Sequence, residues 1–224
     1  MSKGKRIFRR ILVFLLFLII LFGMLLIVYF VFGNNIKNIY IYDNNILSDQ
    51  EIIEIAKIED YPDWYTTSTL SIRKRLEGNV LIKDAKVKKK FFLQVHIYIE
   101  EHNPLFINSE NQKIVLDTGV ETDNIMNINV PVLINYVPDK KYESLIKKYG
   151  KIDKNVRSKI SEIKYDPNTY DEDRFLLYMT DDNYVYVTLT KFDVLNKYNE
   201  SIEKLEGKKG ILYLDSGNYF EIKE

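Results

Sequence analysis

From Ile11 to Phe32 the sequence reads ILVFLLFLIILFGMLLIVYFVF, 22 residues without a charge. As a helix rising about 1.5 Å per residue it spans roughly 33 Å, against about 30 Å of bilayer hydrocarbon, so it is long enough to cross a membrane with slight tilt. Nineteen of its residues are Leu, Ile, Phe or Val. At about −0.3 to −0.6 kcal/mol each on an insertion scale, they favour insertion by on the order of −6 to −11 kcal/mol, an upper bound. A cleaved secretory signal would carry a shorter apolar run ending in small residues at an A-x-A-like site, yet no alanine precedes Ala56 and Gly33-Asn34-Asn35 follows the run. A buried helix of a soluble protein would need a polar face or other long apolar helices to pack against, and the chain offers neither.

The flanks orient the span. Lys3, Lys5, Arg6, Arg9 and Arg10 precede it, and no acidic residue occurs before Asp43, so the positive-inside rule predicts a cytoplasmic tail at residues 1–10, a membrane span at 11–32 and an exported remainder. Those 192 residues carry 27 Lys and Arg against 32 Asp and Glu, a weakly acidic balance that gives no electrostatic case for nucleic acid. They suffice for one large domain or two small ones. Cysteine is absent, which excludes disulfides, a thiolate nucleophile, sortase-like transpeptidation and Cys-based metal sites.

After the span, Ile36 to Tyr42 is rich in β-branched and aromatic residues and stops at the turn cluster Asp43-Asn44-Asn45, which predicts a strand. Ser48 with Glu51 three residues on forms a capping box for a helix over about Asp49 to Ile58. Pro62 ends it. Ser68 or Thr69 caps a second helix carrying Leu70, Arg73 and Leu76 and ending at Gly78-Asn79. Strict alternation then predicts strands from Ile82 to Lys89 and Leu93 to Glu101. Strand, helix, helix, strand, strand over about 70 residues is the order of a polypeptide-transport-associated (POTRA) module, here residues 33–104. Trp64 reads as a plug between the module's two helices, with a partner anchor as the alternative.

A short basic tail, one span and a POTRA-like module resemble the cell-division proteins called FtsQ in Gram-negative and DivIB in Gram-positive bacteria. Ile99-Glu100-Glu101-His102-Asn103-Pro104 resembles the family's Glu-then-Pro exit from the last POTRA strand, with His102 where a basic residue is usual. Val115-Leu116-Asp117-Thr118-Gly119 resembles its apolar strand end closing on Asp and Gly, and Val130-Pro131-Val132-Leu133 the following Pro-x-Leu. Ile160 to Ile163 resembles a family helix end, Leu177 to Val185 its hairpin, and Gly210 to Phe220 its closing strand pair. Asp182 stands where a turn Gly is usual, Val194 where a Lys is usual, and the Lys90-Phe91-Phe92 connection lacks the usual Pro.

Residues 105–224 give the same picture from pattern alone. Lys113 to Leu116, Val130 to Tyr136, Phe175 to Thr180, Tyr184 to Thr190, Ile211 to Leu214 and Tyr219 to Ile222 are strand candidates. A helical stretch from about Tyr142 to Ile163, broken near Gly150, and another from Phe192 to Leu205, with Leu195, Tyr198, Ile202 and Leu205 on one face, interrupt them. The expected fold class is α+β: an N-terminal transmembrane helix, the POTRA module, then an antiparallel β domain with flanking helices.

No catalytic constellation stands out. S-x-x-K occurs five times (Ser2/Lys5, Ser71/Lys74, Ser144/Lys147, Ser161/Lys164, Ser201/Lys204) without its S-D-N and K-T-G companions, as expected of solvated helical faces in a lysine-rich chain. His96 and His102 lack a metal-ligand pattern. Asp171-Glu172-Asp173 and Asp181-Asp182-Asn183 lack EF-hand spacing and read as turns. The expectation is therefore no enzyme, no cofactor, no metal and no small-molecule substrate.

What remains is recognition. Few residues follow the last strand candidate, which is expected at a sheet edge, where a partner can add a strand. The family resemblance supplies the partners, DivIC/FtsB-like and FtsL-like bitopic proteins, and a docking surface of Tyr198, Leu214, Ser216, Gly217, Tyr219, Phe220 and Ile222. The implied role is a divisome scaffold at the septal membrane that organises wall synthesis. The alternatives are a membrane-anchored wall-active hydrolase or transferase, which would need a pocket with perturbed carboxylates, and a POTRA-type chaperone for exported polypeptides.

Overall fold

The computed structural model describes residues 3–31, 33–123 and 128–223; Phe32, the last residue of the expected span, lies outside them. The chain divides into two compact units, Met1–Glu100 and Glu101–Glu224.

The first unit opens on helix α1 (Lys3–Val31). From Phe8 to Tyr29 its large apolar side chains are exposed, as expected of a helix apolar on every face whose solvent is lipid. There follow β1 (Asn38–Tyr42), α2 (Asp49–Ala56), α3 (Thr69–Glu77), β2 (Ile82–Lys90) and β3 (Gln94–Glu101). Strand β3 lies between β1 and β2, and β1 runs parallel to it from Asn38 opposite Gln94 to Tyr42 opposite Tyr98.

Local chemistry accounts for the helices. Ser48 Oγ accepts from Glu51 N–H, and the Glu51 carboxylate accepts from Ser48 N–H at 2.8 Å; that backbone bond first, and one from the Ser48 hydroxyl at 2.7 Å second, hold the Glu51 carboxyl below its ordinary range. Lys57 closes α2 in the left-handed conformation. Ser68 caps α3 through Ser71 N–H. The buried face of α3 is Ile72 and Leu76, and Leu70, expected there, is exposed. Arg73 reaches outward to Glu77 and Asp84. Trp64 does not plug the helix pair: its indole N–H donates to Gln94 O at 2.9 Å and Lys89 lies over its ring.

The second unit is a nine-stranded sheet in the order β12-β11-β10-β9-β8-β7-β4-β5-β6. Its strands are β4 (Pro104–Asn108), β5 (Ile114–Leu116), β6 (Glu121–Thr122), β7 (Val132–Leu133), β8 (Ile160–Tyr165), β9 (Arg174–Met179), β10 (Tyr184–Thr188), β11 (Gly210–Tyr213) and β12 (Tyr219–Ile222). Helices α4 (Asp139–Tyr149) and α5 (Lys154–Arg157) precede β8, and a 3-10 segment (Leu189–Lys197) with α6 (Tyr198–Glu203) links β10 to β11. Leu105, Phe106, Tyr149, Ile163, Phe175, Val185, Phe192, Leu195 and Leu212 share one buried core.

The α+β class holds, with two differences. The sheet is mixed, because β4–β7, β7–β8 and β10–β11 pair in parallel. Ile160 to Ile163, expected to end a helix, opens strand β8, while the helical stretch stops at Tyr149 and resumes only for Lys154–Arg157. Pro104 already pairs with Leu116 and so belongs to this sheet. Asp117 closes β5 onto that entry: it accepts from Asn103 N–H at 3.2 Å and lies 2.9 Å from His102 Nδ1, while Gly119 turns the chain at φ +82.

His96 is buried on β3 between stacked Tyr40 and Tyr42, with Nδ1 3.0 Å from the Tyr42 hydroxyl and Nε2 3.3 Å from Gln94 Oε1. Burial first, and the Lys90 charge second, hold its pKa below the ordinary 6.5. Above that value both folded and unfolded chains carry neutral imidazole; below it the unfolded chain takes up the proton first, so stability falls with pH. The unfolding midpoint of the first unit is expected to drop as pH is lowered from 7 through 6.5 towards 5. His96→Gln should flatten that slope, as read by denaturant titration at each pH.

Candidate docking surface on the terminal strands

The β9–β10 turn organises the carboxyl-terminal strands. The carboxylate of Asp181 accepts from the Tyr198 hydroxyl at 2.8 and 3.0 Å. Asn183, 1% exposed, donates Nδ2–H to Asp181 Oδ1 and accepts from Gly210 N–H at 2.9 Å. One turn thereby holds both the start of α6 and the start of β11. Tyr198 is 1% exposed, and burial, then the Asp181 contact, raises its pKa. It acts as a strut under the surface and is not available to a partner.

Strand β11 runs parallel to β10 and antiparallel to β12, with Gly210 opposite Ile222, Leu212 opposite Phe220 and Tyr213 opposite Tyr219. Lys223 N–H donates to Lys209 O at 2.9 Å, while on the other side of β11 Gly210 and Leu214 N–H donate to Asn183 and to Tyr186 O. The antiparallel alternation then turns the odd-numbered residues of β12 towards β11 and leaves the N–H and C=O of Phe220 and Ile222 pointing away from the sheet. Strand β12 ends the sheet.

The two faces of this edge differ. On one, Leu212, Leu214 and Phe220 face α6 across a groove of about 470 Å³ whose other walls include Val194, Lys197 and Leu205. On the other, aromatic rings run across the strands: Arg174 lies 3.5 Å over Tyr186, Tyr186 stacks on Tyr213 at 5.4 Å, and Tyr213 on Tyr219 at 4.6 Å. A smaller cavity of about 300 Å³ beside this row is lined by Leu176, Tyr184, Ile211 and Glu221. Cross-strand aromatic pairs of this kind contribute roughly 0.2–1 kcal/mol each to strand pairing. Partial burial and the Glu221 carboxylate, 3.0 Å away, push the Tyr213 hydroxyl up to about 12.

The turn between β11 and β12 is fixed to the same row. Asp215 accepts from Arg174 Nε at 2.8 Å and from Ser216 N–H at 2.8 Å, and Asn218 turns the chain at φ +61. Of the residues expected to dock, Tyr219 and Ile222 are exposed on the edge strand, Ser216 and Gly217 sit in the turn, Phe220 is half-buried in the groove wall, and Leu214 and Tyr198 face inward. Missed from sequence were Gly210, Arg174, Tyr186, Tyr213 and the Asp181–Asn183 clamp. The alternating tyrosines of Tyr184 and Tyr186 were the available signal.

Among the described residues no group of three His, Asp or Glu side chains is placed to hold a metal. The carboxylates there with displaced pKa values are Glu51, Asp63 and Glu77, all lowered by hydrogen bonds, the direction opposite to that of a general acid.

An apolar anchoring helix, a β-α-α-β-β module and a mixed sheet with an open terminal edge define a membrane-anchored POTRA-bearing protein. Residues 34–102 match the family described as POTRA domain, FtsQ-type. The Bacillus cytotoxicus cell division protein DivIB is 27% identical over 92% of this chain and 83% of its own length, the Bacillus subtilis DivIB 28% over 92% and 81%, and the Listeria monocytogenes DivIB 28% over 84% and 73%. The major extracytoplasmic domain of DivIB from Geobacillus stearothermophilus covers 45% of this chain and 91% of its own at 23% identity, with a TM-score of 0.39. Residues 34–102 thus belong to the FtsQ-type POTRA family, and over most of its length the chain is similar to the DivIB cell-division proteins.

Gly210 is the residue on which the edge is most exposed to damage. A Cβ there would lie 1.9 Å from Glu221 O and 3.0 Å from Ile222 Cα, so Gly210→Ala must push β12 off the sheet. The expected loss is about 1–3 kcal/mol, with hydrogen-exchange protection lost in residues 219–222 while β9 and β10 keep theirs.

Proposed function

We propose that this chain is a non-enzymatic scaffold of the division machinery, which captures DivIC/FtsB-like and FtsL-like bitopic proteins by adding a partner strand to the free edge of β12. The observation that carries the reading is the parity of that edge. The outward N–H and C=O groups of Phe220 and Ile222 are spaced to pair with an extended chain, and the alternate side chains of such a chain would enter the groove under α6 on one face and meet the tyrosine row on the other. Backbone pairing supplies affinity, and the unlike faces supply register.

In this reading the amino terminus is cytoplasmic and both modules stand outside the membrane, at the septum. Confinement to one membrane raises the effective concentration of partners anchored beside it, so an edge of four residues suffices. Relatives named as cell division proteins DivIB along most of the chain support this role.

Ile222→Pro deletes one outward N–H and keeps the pairing with β11, a substitution an edge strand tolerates. Losing that bond and its register removes about 1–2 kcal/mol, so DivIC-type partner recovery from solubilised membranes is expected to fall about tenfold. Tyr219→Lys should do likewise, whereas Tyr170→Lys, on the exposed connection before β9, should not. Full recovery by folded Ile222→Pro protein would dispose of strand addition. Mid-cell fluorescence of a tagged chain tests the septal placement separately.

A further inference from the structure

The β2–β3 turn presents two aromatic side chains to solvent with nothing packed on them: Phe91 is 89% and Phe92 86% exposed. Neither is there for the turn's own sake. Phe92 and Leu93 have φ of +64 and +59, the left-handed region that Gly or Asn fills at least strain. Two bulky apolar residues stand where polar or glycine residues would make a better soluble turn.

The position of the turn supplies a reason. Lys37 N–H donates to Leu93 O at 2.8 Å, and Lys37 lies six residues beyond the last residue of α1, so at about 3.5 Å per residue the turn is within roughly 20 Å of the helix exit. The loop at Pro62 to Tyr65 is fastened to the same stretch. Ile36 N–H donates to Pro62 O at 3.0 Å, Trp64 N–H to Asn34 O at 2.7 Å, and the Tyr65 ring lies 6.3 Å from that of Tyr29 on α1. Phe91, Phe92, Trp64, Tyr65 and Tyr29 thus gather at the end of the module from which α1 leaves.

The turn and the strand leading into it carry charge of one sign, while the neighbouring loop adds one carboxylate, Asp63, 3.5 Å from the Tyr29 hydroxyl. Lys86, Lys88, Lys89 and Lys90 lead into the turn, and no carboxylate occurs between Asp84 and Glu100. Lys88 and Lys90 are exposed, while Lys89 lies 4.9 Å over the Trp64 ring. Aromatic rings beside lysines at the depth where a helix leaves a bilayer are the composition of the membrane–water interface.

We propose that this end of the first module is a lipid-binding surface: Phe91 and Phe92 insert into the interfacial zone of the bilayer that α1 spans, and Lys88 and Lys90 lie against anionic lipid phosphates. The proposal rests on the reading of α1 as a membrane span. Besides the helix, it gives the module a second attachment to the membrane, which sets the module's tilt and height above the surface.

The chain contains no cysteine, so single labelling sites can be placed freely in the full-length protein. Phe91→Cys, Phe92→Cys, Leu21→Cys and Val80→Cys, the last at the opposite end of β2 roughly 30 Å away, are labelled with an environment-sensitive fluorophore. The labelled chains are reconstituted in phosphatidylglycerol/phosphatidylcholine vesicles containing nitroxide lipids. Labels at 91 and 92 are expected to emit blue-shifted and to be quenched by shallow nitroxides, the label at 80 to behave as in water, and the label at 21 to be quenched by deep nitroxides. Each lysine beside an anionic surface contributes about fivefold, so adding Lys88→Gln and Lys90→Gln should lower the ratio of inserted to free tip about 25-fold. Labels at 91 and 92 that match the one at 80, with position 21 deeply quenched, overturn the insertion alone. Position 21 out of reach of deep nitroxides overturns the span and the proposal with it. A blue shift at 91 that appears only when a division partner is added overturns the proposal in favour of a protein site.

Discussion

Because β11 runs parallel to β10, the chain between them has to cross back over the sheet, and it does so through the 3-10 segment and α6. That crossing buries Phe192, Leu195 and Tyr198 on one face of the sheet, while the other carries the half-buried tyrosine row. It also delivers β11 beside β10, so that the hairpin partner β12 falls at the outer edge. The Asp181–Asn183 turn holds the arrangement where the Tyr198 hydroxyl and Gly210 N–H converge on two hydrogen-bonded side chains. The edge, the groove under α6 and the tyrosine row all depend on this crossover.

The two faces of the terminal strands answer different physical demands. The inner face is apolar because it closes the core of a domain that has no disulfides to constrain it. The outer face is aromatic, with Arg174 tied to Asp166 and Asp215 at its head. Tyrosine there covers backbone without presenting a purely apolar surface, and it offers broad contact area at little conformational cost. A strand edge between two such faces favours one register of an added chain over its neighbours.

Local chemistry was legible wherever it acts within a few residues. The uncharged run, the Ser48–Glu51 capping box, the Ser68 cap and the alternation along β2 and β3 are contacts or patterns contained in their own segments. Strand β8 was misread because a register shift between Ile160 and Glu162 lets Ile160 and Ile163 both point into the core, a spacing of three that imitates a helix. Strand β4 was missed for a related reason: its shift between Pro104 and Phe106 buries the neighbours Leu105 and Phe106 together and erases the alternation.

The sequence by itself determined the membrane anchor, the β-α-α-β-β order and the terminal hairpin, since hydropathy, capping and turn chemistry act over short separations. Which residues of that hairpin a partner can touch was decided only in three dimensions. Leu214 sits in the same hairpin as Tyr219 and Ile222, and Tyr198 on the crossover before it, yet Leu214 and Tyr198 are buried while Tyr219 and Ile222 are exposed. Which backbone groups of that edge strand stay unpaired, and which of its side chains face outward, is set by its neighbours in space, and the chain order does not carry that information.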